Sequence, residues 1–334
     1  MSKRVVIIGD GAMGTLCAIM AAENGHAVRL WSMFPDAAAT LARTRENARF
    51  LPGAKLPDNV EVLTDERQAL RGADIAIQTV PTQFVRTWWS RLADHCPADL
   101  PICSAAKGIE NHTLLRPSQI LSDVLDGGKG ARLLAALSGP SIAPEVARRL
   151  PATVTVASTD RNLGAAIQAL FSRPYFRVYT NDDLIGVELA GATKNVVAIA
   201  AGILDGLGAG DNAKAALVTR GLAEITRLGL AMGAKVETFA GLAGVGDLVT
   251  TCISPVGRNR SFGEAVGRGK SVQEALAMTQ SVVEGVATTA SVVELAARLK
   301  VEMPITAAVH SVLFAARSPA EAIADLMSRP LKAE

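Results

Sequence analysis

Two features of this sequence carry chemistry by residue type and spacing: a glycine turn near the N-terminus and a lone lysine in a later apolar stretch. Gly9-Asp10-Gly11-Ala12-Met13-Gly14 has G-x-G-x-x-G spacing, follows the apolar run Val5–Ile8 and opens a helical pattern from Gly14 to Asn24. In that setting the first glycine makes a tight turn, the second admits a pyrophosphate close to the backbone, and the third lets helix pack on strand. The helix N-terminus then offers free N–H groups and a positive dipole end to the phosphates. A glycine turn by itself would be compatible with a plain structural loop; the flanking strand and helix point to a dinucleotide cradle. The second strand, Ala27–Trp31, is followed by Ser32-Met33-Phe34. That run has neither the carboxylate that meets the ribose hydroxyls of NAD nor the arginine that meets the 2′-phosphate of NADP. Arg43, Arg45 and Arg49 lie downstream, the first two reading as a solvated helix face. Both cofactors therefore stay open.

The lysine is Lys194, set in Gly186-Val187-Glu188-Leu189-Ala190-Gly191-Ala192-Thr193-Lys194-Asn195-Val196-Val197. Desolvation there lowers its affinity for a proton and suits it to give or accept one. A lysine snorkelling at a helix edge is the blander alternative; the adjacent Asn195 argues for a polar pocket. Gly241–Leu248 places Asp247 after a glycine-rich turn, where backbone can come close to a ligand. Gly257-Arg258-Asn259-Arg260 precedes a short helix, so guanidinium, amide and helix N–H groups could converge on a phosphate, unless the run is surface charge. Lys107-Gly108 follows a strand and Ser138-Gly139-Pro140-Ser141 is a turn. Both lie where open α/β sheets bind ligands, outside the carboxyl ends of strands.

Positioning these groups falls to two kinds of architecture. Strand patterns at Val5–Ile8, Ala27–Trp31, Ile75–Val80, Leu100–Ser104 and Thr153–Val156 alternate with helical ones. That alternation predicts a Rossmann-like, doubly wound parallel sheet with helices on both faces. Beyond Asn181 helical periodicity dominates, at 184–205, 212–232, 261–268, 271–276, 287–298 and 305–314. The expected fold class is thus α/β, a dinucleotide-binding domain over 1–181 followed by an all-α substrate-binding and catalytic domain over 182–334.

Composition narrows the function class. A chain of 334 residues exceeds one comfortable core, and 49% apolar with 20% charged residues is ordinary for a globular protein. A net charge of +2 gives no sign of a nucleic-acid-binding surface. Cys17, Cys96, Cys103 and Cys252 form no C-x-x-C pair and the four histidines are scattered, so neither a zinc site nor a disulfide frame is expected. The run at Val5–Ile8 is far shorter than a signal-peptide core, and the apolar stretch Val196–Leu207, broken by glycine and Asp205, is too short to span a bilayer. These features predict a cytoplasmic protein with reduced thiols.

Taken in order along the chain, the motifs resemble those of the bacterial-type NAD(P)-dependent glycerol-3-phosphate dehydrogenases. The likeness runs from the glycine turn to about Pro304. It includes Asn47-Ala48-Arg49-Phe50-Leu51-Pro52-Gly53, Val80-Pro81-Thr82-Gln83, Lys107-Gly108-Ile109-Glu110 and Leu137-Ser138-Gly139-Pro140-Ser141. It continues through Thr193-Lys194-Asn195-Val196, Asn212-Ala213-Lys214, Thr219-Arg220-Gly221, Gly241–Leu248, Arg258-Asn259-Arg260 and Val283-Glu284-Gly285. The resemblance implies hydride transfer between sn-glycerol 3-phosphate and NAD or NADP, giving dihydroxyacetone phosphate, in support of glycerophospholipid synthesis. It implies Lys194 as proton acceptor or donor, Lys107 as second site lysine, and Asp247 as the group orienting Lys194 or the substrate hydroxyls. Gly139, Ser141, Gly257, Arg258 and Asn259 would complete the substrate site. The cofactor would meet Gly9, Gly11, Ala12, Met13, Gly14, Met33, Arg49, Lys107, Ala143, Arg258, Val282 and Glu284. A small phosphorylated substrate is the partner it implies; the alanine- and glycine-rich helices of the second half point to a homodimer, with no nucleic acid and no membrane span expected.

Three stretches, five residues in all, depart from the family pattern. Ala12-Met13 stands where a serine and an aromatic residue are common, Met33-Phe34 replaces basic residues, and Gly257 replaces a serine and its hydroxyl. The Ala-Met pair also occurs in the related β-hydroxyacid dehydrogenases, the enzymatic alternative. Adjacent Lys194-Asn195, Asp247 and Arg258-Asn259 favour the phosphate-substrate family. A non-catalytic dinucleotide-binding regulator would lack the lysine or the phosphate arginine, and neither is missing.

Overall fold

The structure is a computed structural model that describes residues 2–279 and 281–331. The chain forms two compact units, one of Met1–Lys107 with Leu115–Glu188, the other of Gly108–Leu114 with Leu189–Glu334.

In the first unit eight strands make one sheet, β1 (Arg4–Ile8), β2 (Ala27–Trp31), β3 (Val60–Leu63), β4 (Ile75–Gln78), β5 (Ile102–Ser104), β6 (Leu134–Ser138), β7 (Ala152–Ser158) and β8 (Phe176–Asn181). Their spatial order is β3-β2-β1-β4-β5-β6-β7-β8. The helices between them are α1 (Ala12–Glu23), α2 (Pro35–Thr44), α3 (Glu66–Leu70), α4 (Thr82–Leu92), α5 (Pro117–Asp126), α6 (Ala143–Ala147) and α7 (Arg161–Phe171). Successive residues of β1 feed opposite faces, as strand geometry requires. Val5 and Ile7 pack with α1 and α7 through Leu16, Met20, Ile167 and Leu170, whereas Val6 and Ile8 pack with α4 and α5 through Val85, Trp89 and Ile120. A strand covered on both faces reads as a continuous apolar run.

Parallel pairing holds from β3 through β6, with Val5 opposite Val28 and Ile75. The expectation of a wholly parallel sheet is corrected at β7, which runs antiparallel to β6, Ser138 facing Thr155, and pairs in parallel with β8. The short connection through α6 returns the chain without a full crossover helix, and an antiparallel neighbour needs none. The expected strands at 75–80 and 100–104 are trimmed to Ile75–Gln78 and Ile102–Ser104. Because β2 and β3 lie on one side of β1 and β4 on the other, strand order reverses between β1 and β4. Open sheets bind ligands at such a point.

The second unit is helical: most of α8 (Leu184–Gly206), then α9 (Asp211–Ala231), α10 (Val236–Ala240), α11 (Asp247–Ile253), α12 (Arg258–Gly267), α13 (Val272–Ala277), α14 (Glu284–Leu299), α15 (Pro304–Phe314) and α16 (Pro319–Met327). Its core joins Val196, Ile199 and Ile203 of α8 to Phe262 and Val266 of α12 and to Ile305, Val309 and Val312 of α15. Glycines bring α8 and α12 into backbone contact: a Cβ on Gly202 would lie 1.9 Å from the Arg260 carbonyl oxygen, and one on Gly263 2.1 Å from that of Ile199. At 23 residues and a mean hydropathy of 1.4 in its most apolar window, α8 is long and apolar enough to cross a bilayer. The helix thus extends well beyond the apolar stretch 196–207, and 83% of its most apolar window is buried in the fold.

Candidate active site

The first unit builds the glycine turn at the reversal point. Gly9 follows β1 with φ +106°, and its N–H donates to Trp31 O at 3.0 Å. Gly14 must be glycine, because a Cβ there would stand 1.9 Å from Gly9 O and 2.7 Å from Thr79 Oγ1. Gly11, by contrast, has nothing within 4 Å of its Cβ position. It is the N-cap of α1 and makes no side-chain cap hydrogen bond. Open space over a bare helix N-terminus is the cradle a pyrophosphate needs, so the residues present fit a dinucleotide. Ala12 and Met13 form the first turn of α1 and pack against the core beneath it.

Around this turn lies a polar clasp that the sequence reading did not single out. Thr79, just beyond β4, donates its hydroxyl to Ile8 O at 2.9 Å and Gly9 O at 3.0 Å. Asn47 donates its amide to Asp10 O at 2.6 Å and Thr15 Oγ1 at 2.8 Å. Asn47 was visible only as part of a motif, and its partners are set by the fold. Met33 is half-buried at the end of β2, and exposed Arg49 lies over its neighbour, 4.8 Å from the Phe50 ring centroid.

The C-terminal ends of β5 and β6 bring Lys107, Gly139 and Ser141 together. Lys107 Nζ donates to Gly139 O at 3.2 Å, and Ser141 Oγ donates to the same oxygen at 3.1 Å. Gly139 has φ +133°, and a Cβ on it would sit 2.9 Å from Val154 Cα. Ala143, buried, starts α6 two residues beyond Ser141.

In the second unit Lys194, on α8, is 5% exposed and Asp247, at the start of α11, 2% exposed. Lys194 Nζ stands 2.8 Å from Asp247 Oδ1 and donates to Thr251 Oγ1 at 2.5 Å. Thr251 in turn donates to Asp247 O at 2.6 Å. Thr251 was missed; its signal was the four-residue spacing from Asp247, which puts both on one face once α11 is known to be a helix. The glycine run is the reason α11 went unseen. Leu242–Gly246 forms a π-turn that passes straight into α11, with Gly244 against the Phe239 backbone, where a Cβ would lie 2.1 Å from Phe239 O.

Asn195 is buried beside this triad, and its Oδ1 accepts from Asn259 Nδ2 at 2.9 Å. Asn259 Oδ1 accepts from Gly285 N–H at 3.0 Å. One amide donor of Asn259 is therefore committed to joining α12 to α8. Gly257 is the N-cap of α12, and Arg258 donates from Nη1 to the carbonyl of exposed Val282 at 3.1 Å. Glu284 opens α14. A cavity of about 530 Å³ elsewhere in this unit, between α8, α9, α15 and α16, contains none of the predicted site residues. Its lining is mostly apolar, with charged members including Arg220, Glu224 and Arg227, and it does not include the Lys194–Asp247 pair. Among the described residues no group of three His, Cys, Asp or Glu side chains could hold a metal.

A glycine turn at the strand-order reversal of a Rossmann-type sheet, joined in sequence to a helical unit with a buried lysine–carboxylate pair, defines the class of two-domain nicotinamide dinucleotide oxidoreductases. Residues 4–164 match the NAD-dependent glycerol-3-phosphate dehydrogenase N-terminus and residues 183–324 the corresponding C-terminus. The chain belongs to the NAD-dependent glycerol-3-phosphate dehydrogenase family. It is 47% identical over 334 residues to glycerol-3-phosphate dehydrogenase [NAD(P)+] of Geobacter sp. (strain M21), covering 100% of this chain and 99% of the relative. The protein of the same name from Koribacter versatilis (strain Ellin345) is 47% identical, with 99% of each covered. Among solved structures, glycerol-3-phosphate dehydrogenase from Coxiella burnetii superposes with a TM-score of 0.94 at 38% identity, covering 98% of this chain and 99% of that one. A ketopantoate reductase family protein from Ralstonia eutropha JMP134, at 18% identity and a TM-score of 0.60, shares the fold alone. The match over both units sets aside the β-hydroxyacid dehydrogenase alternative.

Proposed function

We propose that this protein interconverts sn-glycerol 3-phosphate and dihydroxyacetone phosphate with NAD(H) or NADP(H), supplying the backbone of glycerophospholipids. The observation that carries the reading is the buried Lys194–Asp247 pair, 2.8 Å apart, in a chain whose relatives bear that activity in their names. Residues 1–181 would bind the dinucleotide and 182–334 would bind the substrate and supply the proton chemistry. The bound nicotinamide would supply or take up the hydride.

Lys194 would hold the proton exchanged with the substrate oxygen. Its Nζ lies between the Asp247 carboxylate and the Thr251 hydroxyl, within reach of both, where a proton could be passed to or from the substrate oxygen. Asp247 and Thr251 fix where that proton points. In reduction the ammonium also stabilises the oxyanion developing on the carbonyl. Lys107 and Ser141, both donating to Gly139 O, are further proposed substrate contacts. Arg258, Asn259 and the N-terminus of α12 at Gly257 would take the phosphate, with less hydroxyl assistance than a serine at 257 would give. Gly9, Gly11, Ala12, Met13 and Gly14 would cradle the pyrophosphate; Met33, Arg49, Ala143, Val282 and Glu284 complete the proposed cofactor contacts. A cytoplasmic homodimer is the proposed setting, supported by the scattered cysteines and by the alanine- and glycine-rich helices of the second half.

The test is dihydroxyacetone-phosphate-dependent oxidation of NADH and of NADPH, side by side, for the wild type and Lys194→Ala. Turnover with at least one cofactor, lost by about 100-fold or more in the variant, is expected for a removed general acid. No turnover with either cofactor overturns the assignment; a fully active variant overturns the role of Lys194.

A further inference from the structure

The end of β2 lacks an acidic residue in sequence, yet a carboxylate reaches it in space. Asp10, the second residue of the glycine turn, accepts a hydrogen bond on Oδ2 from Ser32 Oγ at 2.7 Å. Ser32 is the first residue after β2 and is fully buried, while Asp10 is 8% exposed. The position is held from several sides. Asn47 donates to the Asp10 carbonyl at 2.6 Å, and Ser32 Oγ accepts from Phe34 N–H at 3.2 Å. The acid that recognises the adenosine ribose in NAD enzymes ordinarily projects from the end of this strand. Here the turn provides it from the neighbouring strand end.

We propose that Asp10, oriented by Ser32, is the ribose-recognising carboxylate of this protein and makes the site select NAD(H) over NADP(H). A carboxylate accepts hydrogen bonds from the ribose hydroxyls and repels the charge of a 2′-phosphate, so it discriminates by attraction to one cofactor and repulsion of the other. The two positions after Ser32 supply no cation to offset that repulsion. Met33 and Phe34 occupy the positions after Ser32, Arg45 donates to Pro57 O, and Arg49 lies over the Phe50 ring. The inference rests on the dinucleotide-binding reading above and adds a residue to it.

Calorimetric titration of NADH and NADPH tests it without turnover. The wild type is expected to bind NADH at least about tenfold more tightly, about 1.4 kcal/mol. Asp10→Asn, which keeps the shape and an acceptor for Ser32, is expected to close most of that gap, chiefly by tightening NADPH. A residue with a merely structural role would weaken both cofactors alike and leave their ratio unchanged. Asp10→Ala is expected to move the ratio in the same direction, which guards against a rearranged asparagine. NADPH bound as tightly as NADH by the wild type, or a ratio unmoved in both variants, overturns the proposal while leaving the dehydrogenase reading intact. Binding of neither cofactor overturns both.

Discussion

Asp247→Asn removes the negative charge from a pair almost wholly out of water while keeping the side chain's shape. At the observed 2.8 Å, two unit charges attract by about 6 kcal/mol at an effective dielectric of 20. Asparagine recovers part of this by accepting a hydrogen bond, and the Thr251 hydroxyl still accepts from Nζ. The expected loss of unfolding free energy is therefore about 3 to 5 kcal/mol, the cost of leaving one partner of a buried pair uncompensated. Replacing both partners, Lys194→Met with Asp247→Leu, removes the stranded charge and is expected to return stability to within about 1 kcal/mol of wild type. Urea unfolding followed by far-ultraviolet circular dichroism reads the stability, and dihydroxyacetone-phosphate-dependent NADH oxidation reads the function. Only the double variant should be both stable and inactive, which separates the pair's catalytic role from its cost to the fold. A single variant losing less than about 1 kcal/mol would refute the buried coupling. A double variant that still turns over would refute the proton role.

Three further substitutions follow from the geometry. Gly11→Ala meets open space and should fold as the wild type does while weakening NADH by about tenfold or more; Gly14→Ala should destabilise the first unit, because its Cβ would overlap Gly9 O. Thermal melts and NADH titration of the two proteins check this, and equal melting temperatures would count against the turn geometry. Glu224, 2% exposed on α9, caps α15 by accepting from Ile305 N at 2.7 Å and Thr306 N at 3.2 Å. Burial raises its pKa above the usual 4.5, against the lowering effect of these two N–H groups. A raised folded-state pKa gives stability that is full below the unfolded value and lost as pH rises through the folded one. The stability of wild type relative to Glu224→Gln should thus be greater near pH 4.5 than at neutral pH, and a pH-independent difference in melting temperature would contradict it.

Legibility in the sequence followed how local each signal was. Ala27–Trp31 was legible to the residue because Val28, Leu30 and Trp31 are flanked by the turn-forming Gly25-His26 and by Ser32, and α15 to within one residue because Pro304 marks its start. Strand β6 escaped because Leu-Ala-Ala-Leu-Ser has no β-branched residue and becomes a strand only by pairing between β5 and β7. Strands β3 and β8, on the sheet's two edges, were missed as well. Helices α10, α11 and α16 were missed too, the first two because the glycines between them resemble a break when they in fact permit close packing.

The sequence by itself determined the glycine turn, the alternation that demands a doubly wound sheet, the helical second half, and the motifs that the family match covers. Those are properties of neighbouring residues, where steric freedom and hydrophobic period act over one or two turns. Only the tertiary structure decided that β7 reverses, that Thr251 meets a lysine 57 residues away, and that the Asp10 carboxylate stands at the end of β2. Such contacts depend on how whole elements pack, and a side chain's partner across that distance leaves no local trace.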